Sequence, residues 1–398
     1  MDLKTFCKEH KKWIARGGWA VFFIAFTLFT LFFNTTLEYE KPGDAEIGVT
    51  YEKARVISVD QEDMGPDPDF PYIQIGKQWL TLEILTGELK GRSTTAVNFV
   101  ERVNNKPAQV GTEMIISSYD GFVTTSVVNY SRENYLYILG ILFLAFILLF
   151  GRSKGFKSIV ALAFTLVCVL FVMVPMIIRG VNPILAAAVV VVVSTAVNLL
   201  MLNGWSRKNA IAAAGSIIST MIAGIISFLI GMASHLDTLN TEEAELLLFV
   251  SGNSPIQIRD LLFAGILIAA MGAVMDTSMS IASSLYEMKQ IDPTLTSRQL
   301  LRSGMNVGRD IMGTMTDTLI LAFTGSSLNI ILIYYMYAMP YLGLINLDLI
   351  AVEIARGLSG SIAIALSIPI TALIAARALH GPFAPGKKEK GRPKGLSA

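Results

Sequence analysis

Apolar residues recur along this chain in two different rhythms. From Trp19 to Phe33, and again near 135–150, 158–178, 183–202, 210–232, 260–284, 312–338 and 358–376, they form runs almost free of charge. Runs of about 20 apolar residues match the hydrocarbon core of a bilayer. Between about Asn34 and Glu133 the runs shorten and alternate, as ARVISV, QWLTLEIL, TTAVNFV, EMIISSY and TTSVVNY, with the turn-forming GELKGR and NNKPAQVG among them. Period-two alternation bounded by such turns predicts strands. The pattern therefore predicts an α-helical polytopic membrane protein of about eight transmembrane helices, with a small all-β extracytoplasmic domain nearest to an OB-like barrel. Its parts are a basic tail (1–17), an anchor (18–34), the barrel (35–133), a seven-helix membrane domain (134–379) and a second basic tail (380–398).

Composition and charge sharpen this picture. Of 398 residues, 53% are hydrophobic and only 16% charged, against about a quarter charged in soluble domains. The basic-then-apolar start is followed by NTTLEYEKPGD, without a small-residue cleavage site, and so predicts an uncleaved signal anchor. Lys and Arg gather before the anchor, in GRSKGFK, in GWSRKN, around Lys289, Arg298, Arg302 and Arg309, and in KKEKGRPKG. These are alternate connections, which places both termini in the cytoplasm and residues 35–133 outside. Pro175 and Pro369 are candidate kinks within their spans.

Two longer outer connections, HLDTLNTEEAELLLFVSGNSP and NLDLIAVEIARGL, predict short interfacial helices. In the first, Thr241 is the expected cap, with Glu242 and Glu243 in the opening turn. The cytoplasmic segment from Ser297 reads as helical, capped by Thr296 or Ser297. The acidic stretch DQEDMGPDPDF reads as a flexible solvated loop, its spacing unlike that of an EF-hand.

Candidate chemistry centres on carboxylates inside apolar runs. Asp276 heads a stripe with Ser280, Ser283 and Glu287 at steps of four, three and four, with Thr277 and Ser284 beside it. Asp310, Thr314, Asp317 and Thr324 form a second stripe on the next helix. An acid near the bilayer centre costs roughly 2.5 to 3.5 kcal/mol on insertion scales, so these stripes should face each other or a shared cavity. At 1.5 Å per residue, Asp276 lies roughly 13 Å and Asp317 roughly 9 Å below the inner surface. Close carboxylates in such a place share a proton rather than both ionise, which suits proton coupling and equally a silent structural pair. Asn198, near Ser194 and Thr195, either lines the same cavity or bonds a neighbouring helix. Arg309 is expected to neutralise Asp310, and Glu353 to pair with Arg356 three residues on.

Other chemistries find little support. Cys7 and Cys168 are placed too differently to pair, and His10, His235 and His380 are scattered. No Walker, dinucleotide, nucleophile-elbow or HExxH motif occurs. The expectations are therefore no enzyme, no cofactor, no metal and no nucleic-acid partner. The expected partners are the lipid bilayer, a small solute or ion, and a second copy or paired membrane subunit. The leading functional expectation is an ion- or proton-coupled secondary transporter; the competing one is a non-transporting envelope scaffold whose outer barrel binds a partner.

The stretch MGAVMDTSMSIASSLYEM, continuing through TSRQLLRSGMNVGRDIMGTMTDTLILAFTGSSL to ARGLSGSIAIALSIPITALIAA, resembles the YibE/F family of bacterial membrane proteins. That resemblance implies a bacterial plasma-membrane protein with this anchor, outer domain and helical plan; it implies no substrate. The arrangement around Asp276 and Asp317 is also similar to the last helices of SecD/SecF and resistance-nodulation-division transporters. There Asp276 would correspond to the proton-relay carboxylate and Asp317 to its partner. The chain departs from that plan by about two extra helices and by the place of its outer domain, which leaves an analogy.

Overall fold

A computed structural model describes residues 11–36, 49–118, 125–236, 238–240, 242–251 and 255–380. Both basic tails beyond residues 11 and 380, and the expected cap Thr241, lie outside these, as do the side chains of Glu242 and Glu243. The chain divides into two units, Glu40–Gly151 and Met1–Tyr39 with Arg152–Ala398.

Before the first unit comes helix α1 (Lys11–Thr35). Within that unit β1 (Thr50–Pro66), β2 (Gln74–Ile84), β3 (Ser93–Val100), β4 (Glu113–Ser118) and β5 (Thr125–Tyr130) close a barrel in the order β1-β2-β3-β5-β4. All pairs are antiparallel except β3 with β5. On β2 the alternation works as read: Leu80, Leu82 and Ile84 are buried and meet Ala54, Val56, Met114 and Ile116 in the core. β1 pairs with both β2 and β4, and bulges at Val56/Ser58 and Val59/Gln61 give it the bend that closure needs. Gly76 takes φ 148° where the backbone passes Asp63 O, and a Cβ there would strike that carbonyl.

The acidic stretch is not a flexible loop. Its first half belongs to β1, and Asp67 is 1% exposed. Arg102 donates to Asp67 through Nε at 2.8 Å and NH2 at 2.9 Å, while Asp67 Oδ1 accepts the amides of Asp69 and Phe70. A paired and hydrogen-bonded carboxylate can be buried where a free one cannot. Buried Gln78 and Asn98 likewise form a network: Asn98 Nδ2 donates to Gln78 Oε1 (3.0 Å) and Lys106 O (2.7 Å), and Gln78 bonds both backbone groups of Ala108.

The barrel leads into α2 (Glu133–Cys168), which is interrupted at Arg152 (φ 46°, ψ −129°), so the span pair expected at 135–150 and 158–178 is separated by one residue and no loop. A π segment (Val169–Met173) and α3 (Val174–Ile178) follow. Pro175 has no N–H to give Phe171 O. The carbonyl so released accepts Asn34 Nδ2 of α1 at 3.0 Å. Trp19, Phe22, Phe23 and Phe26 of α1 pack around Phe164, and Arg179 donates to Phe33 O.

Next come α4 (Pro183–Asn203), capped by Asn182, and α5 (Arg207–Ala233), capped by Ser206. A ten-residue α6 (Glu242–Ser251) fills the first outer connection, and α7 (Leu261–Ile291) follows. The helix α8 (Ser297–Ser326) begins at a capping box of Thr296 and Gln299 and bends by 62° into α9 (Leu328–Met336), where the sequence predicts one span at 312–338. After α10 (Tyr341–Ile345), α11 runs unbroken from Asp348 to Ala378, so the expected separate helix before the last span is part of it. Pro369 lies inside α11 without ending it.

Candidate functional site

α7 is the hub of the helical unit. Ala270, Val274, Thr277, Ile281 and Leu285 recur at helical spacing and are all buried. They meet α5, α8 and α11 in two adjoining clusters. The other face of α7 carries Gly265, Ala269, Gly272, Asp276, Ser280 and Glu287, every one exposed. Ser283 is half-buried at its edge.

On α8 the first turns bury Leu300, Gly304 and Gly308. Gly304 lies against Leu285 and Ala372, Gly308 against Ile368, and Leu319 against Gly360. Asp310, Gly313, Thr314, Asp317, Thr318 and Thr324 are exposed.

Both exposed faces are turned away from α11. α11 packs on both helices: Thr371 Oγ1 donates to Ser278 Oγ (3.1 Å) on α7, and Ile368 and Gly360 meet α8. Asp276 lies about 160° around α7 from Ser278, and Asp317 about 180° around α8 from Gly308, at 100° per residue. Both acids therefore point away from α11, and Asp276 also lies about 180° around α7 from Leu285, the side chain that meets Gly304 of α8. Counting outward from the Gly304–Leu285 contact, Asp276 falls level with Gly313 and Asp317 with Gly272, a stagger of roughly 6 Å along the axis.

Burial of the acids is corrected. Neither Asp276 nor Asp317 is enclosed, and neither makes a hydrogen bond or ion pair among the described residues. Thr277 belongs to the opposite face: it is fully buried and its hydroxyl donates to Ala273 O at 2.9 Å. Thr314 donates to Ile311 O. Asn198 is on neither of these faces; it is buried on α4 with Nδ2 donating to Thr165 Oγ1 at 2.9 Å.

Arg309 and Asp310 make no ion pair among the described residues; Arg309 NH1 donates to Asn306 Oδ1 at 3.4 Å instead. Consecutive helical residues point 100° apart, whereas residues three apart are neighbours. Arg356 NH1 lies 2.5 Å from Glu353 Oε1. Glu353 also lines a cavity of about 290 Å³ at the α8–α9 bend, with Thr324, Ser327 and Ile331, and its Oε2 is buried without a partner.

A seam of buried hydroxyls escaped the sequence reading. Ser359 bonds Ser227 at 2.9 Å, Thr371 bonds Ser278, and Thr371 fills the space left by Gly215. Its signal was legible as Gly215, Ser219, Ala223, Gly224, Ser227 and Gly231 at steps of three, four and one along α5. The seam joins helices tightly; the outward faces of α7 and α8 are where polar groups remain open.

Among the described residues, five helices are long and apolar enough to cross a membrane, and a sixth span results if the bent α8–α9 pair is one. With these helices and a small five-stranded barrel, the molecule has the class features of a multi-span membrane protein. The sequence model of the YibE/F-like protein family matches residues 139–381, and the chain belongs to that family. No curated protein and no solved structure matches it.

Proposed function

We propose that this is a bacterial plasma-membrane carrier that couples solute movement to protons or another small cation through Asp276 and Asp317. The observation that carries this reading is the face of α7 and α8: two unpaired acids, glycines and hydroxyls, left open on helices that are otherwise apolar. Such a face is not presented to lipid tails, so it borders water, a solute path or another protein. The staggered acids provide two stations for a cation, and Ser280 and Thr314 supply hydroxyls beside them.

In this reading the spans number eight. α1 is the anchor, the interruption at Arg152 divides Glu133–Ile178 into two spans, and the bent α8–α9 pair counts as one. An even count puts both termini in the cytoplasm with the basic segments, and the barrel outside. The parallel β3–β5 closure of an otherwise antiparallel five-strand barrel supports assignment to the OB type.

The test is flux in proteoliposomes containing the full chain, with a pH dye inside and an imposed proton gradient. Wild type should dissipate the gradient, while Asp276→Asn and Asp317→Asn should fall to the protein-free rate with melting temperature unchanged. Dissipation unaltered in both variants overturns the reading. A second reading, a non-transporting scaffold, is favoured by the same open face, which a second copy or paired subunit could cover. Cysteines at Gly272 and Gly313 that cross-link between copies, without flux in wild type, would support it.

A further inference from the structure

A concave site unrelated to the acids lies at the end of the barrel where the chain enters α2. It measures about 660 Å³ and is lined by Arg55, Glu113, Tyr130, Ser131, Arg132, Asn134 and Tyr135 among others. All of these belong to one unit. We propose that this pocket binds the phosphate headgroup of an anionic phospholipid.

Three observations converge on an anion. Arg132 makes no ion pair among the described residues; its guanidinium rests 5.9 Å from the Tyr130 ring centre. Arg55 offers a second guanidinium, of which NH2 is engaged by Glu113 at 2.8 Å. Ser131, 9% exposed, also lines the pocket, with its hydroxyl set against the Glu133 carboxylate. Asn134 and Tyr135 stand in the first turn of α2, where backbone N–H groups have no intrahelical acceptor and the helix dipole favours negative charge. Two guanidiniums against one carboxylate leave the lining with a net positive charge.

The lipid source follows from what comes next in the chain. Leu136, Ile138, Leu139 and Ile141 are exposed at 62%, 62%, 62% and 66%. The stretch from Glu133 to the interruption at Arg152 is roughly 28 Å long, close to the roughly 30 Å of a hydrocarbon core. Tyr135 and Tyr137, 75% and 67% exposed, take the place of interfacial aromatic anchors. The pocket then sits at headgroup depth, within one turn of the apolar surface. This inference rests on α2 entering the bilayer as proposed above, and is independent of Asp276 and Asp317.

The test uses the full-length protein in detergent, titrated with short-chain phosphatidylglycerol, phosphatidylcholine or inorganic phosphate and read by native mass spectrometry. Wild type should retain phosphatidylglycerol in preference to phosphatidylcholine. Arg132→Gln should weaken it by about tenfold, the loss expected for one charge-assisted hydrogen bond. Ser131→Ala should weaken it by a smaller factor with an unchanged circular dichroism spectrum. Lys90→Gln, a charge change in the β2–β3 turn, should have no effect. Equal retention of the two lipids, an unaltered Arg132→Gln, or an equal loss in Lys90→Gln overturns the proposal. Inorganic phosphate bound as tightly as phosphatidylglycerol assigns the site to soluble phosphate and overturns the lipid assignment. A spin label on Leu142→Cys reports lipid accessibility, so failure of the headgroup site is told apart from failure of the span.

Discussion

The barrel and the helical unit treat their polar groups in opposite ways. In the barrel, buried polar side chains are tied into networks: Gln78 with Asn98 and the 106–108 backbone, Asp67 with Arg102 and two amides. In the helical unit, some buried hydroxyls are unpaired, as at Thr195, Ser216 and Thr220, and the two acids deepest in the apolar runs stand open. A polar group that is satisfied holds a structure together, and one left unsatisfied stays available to a visitor. The comparison teaches that the barrel interior spends its polarity on its own fold, whereas the outward faces of α7 and α8 keep their acids for something outside the chain.

The largest effect expected concerns the barrel core alone. Leu82→Ala removes a fully buried side chain that meets β1 and β4, and should destabilise the barrel by about 2 to 5 kcal/mol. Hydrogen exchange should show protection lost across β1–β4 and kept in α7 and α11. Equal loss in both units would break the comparison, because it would make them one cooperative block.

Asn98→Ala probes the network itself. It strips donors from Gln78 Oε1 and Lys106 O in a closed interior, and should cost about 1 to 3 kcal/mol by denaturant titration followed at the barrel. Asp67 gives a smaller, pH-dependent effect. Hydrogen bonding from Arg102 holds its carboxyl below the usual carboxylate value, outweighing the opposing effect of burial. Its contribution is therefore fully present above the unfolded pKa, about 3.9, and is lost as pH falls through the lower folded value. The stability difference between wild type and Asp67→Asn should be constant near neutrality and shrink in acid. A difference that grows in acid would mean that the carboxylate is not what Arg102 stabilises.

The sequence made the same contrast partly legible. Period-two alternation located all five strands, because a barrel exposes one side of each strand to water and fills the other. It could not show that the acidic stretch extends β1, since Asp67 depends on Arg102, 35 positions away in the chain. Apolar runs located the helices but not the form of every break. The break expected at GRSKGFK is a single residue, Arg152 beside Gly151, and the segment NLDLIAVEIARGL, expected as a separate interfacial helix, is continuous with the last span in α11. At the site, helical spacing identified both polar stripes, yet spacing reveals only that one face differs from another. Which face turns inward was decided by glycines: Gly304 and Gly308 let α8 approach Leu285, Ala372 and Ile368, and that contact rolls Asp317 outward.

The smallest expected effect is the sharpest test of what the open acids are for. Asp276 has no hydrogen-bond or ionic partner among the described residues and its side chain is exposed, so Asp276→Ala removes no native contact of the kind that stabilises the barrel acids. Substitutions at such positions stay within about 0.5 kcal/mol. The full chain carrying Asp276→Ala should melt with wild type while its proton flux is lost. If it melted well below wild type, the carboxylate would be a strut that joins α7 to a second copy or subunit, and the contrast between satisfied barrel interior and open helix face would fail. If stability held and flux vanished, the absence of a partner in the chain would be the property that function uses, since a carboxylate committed to an internal bond cannot exchange a cation.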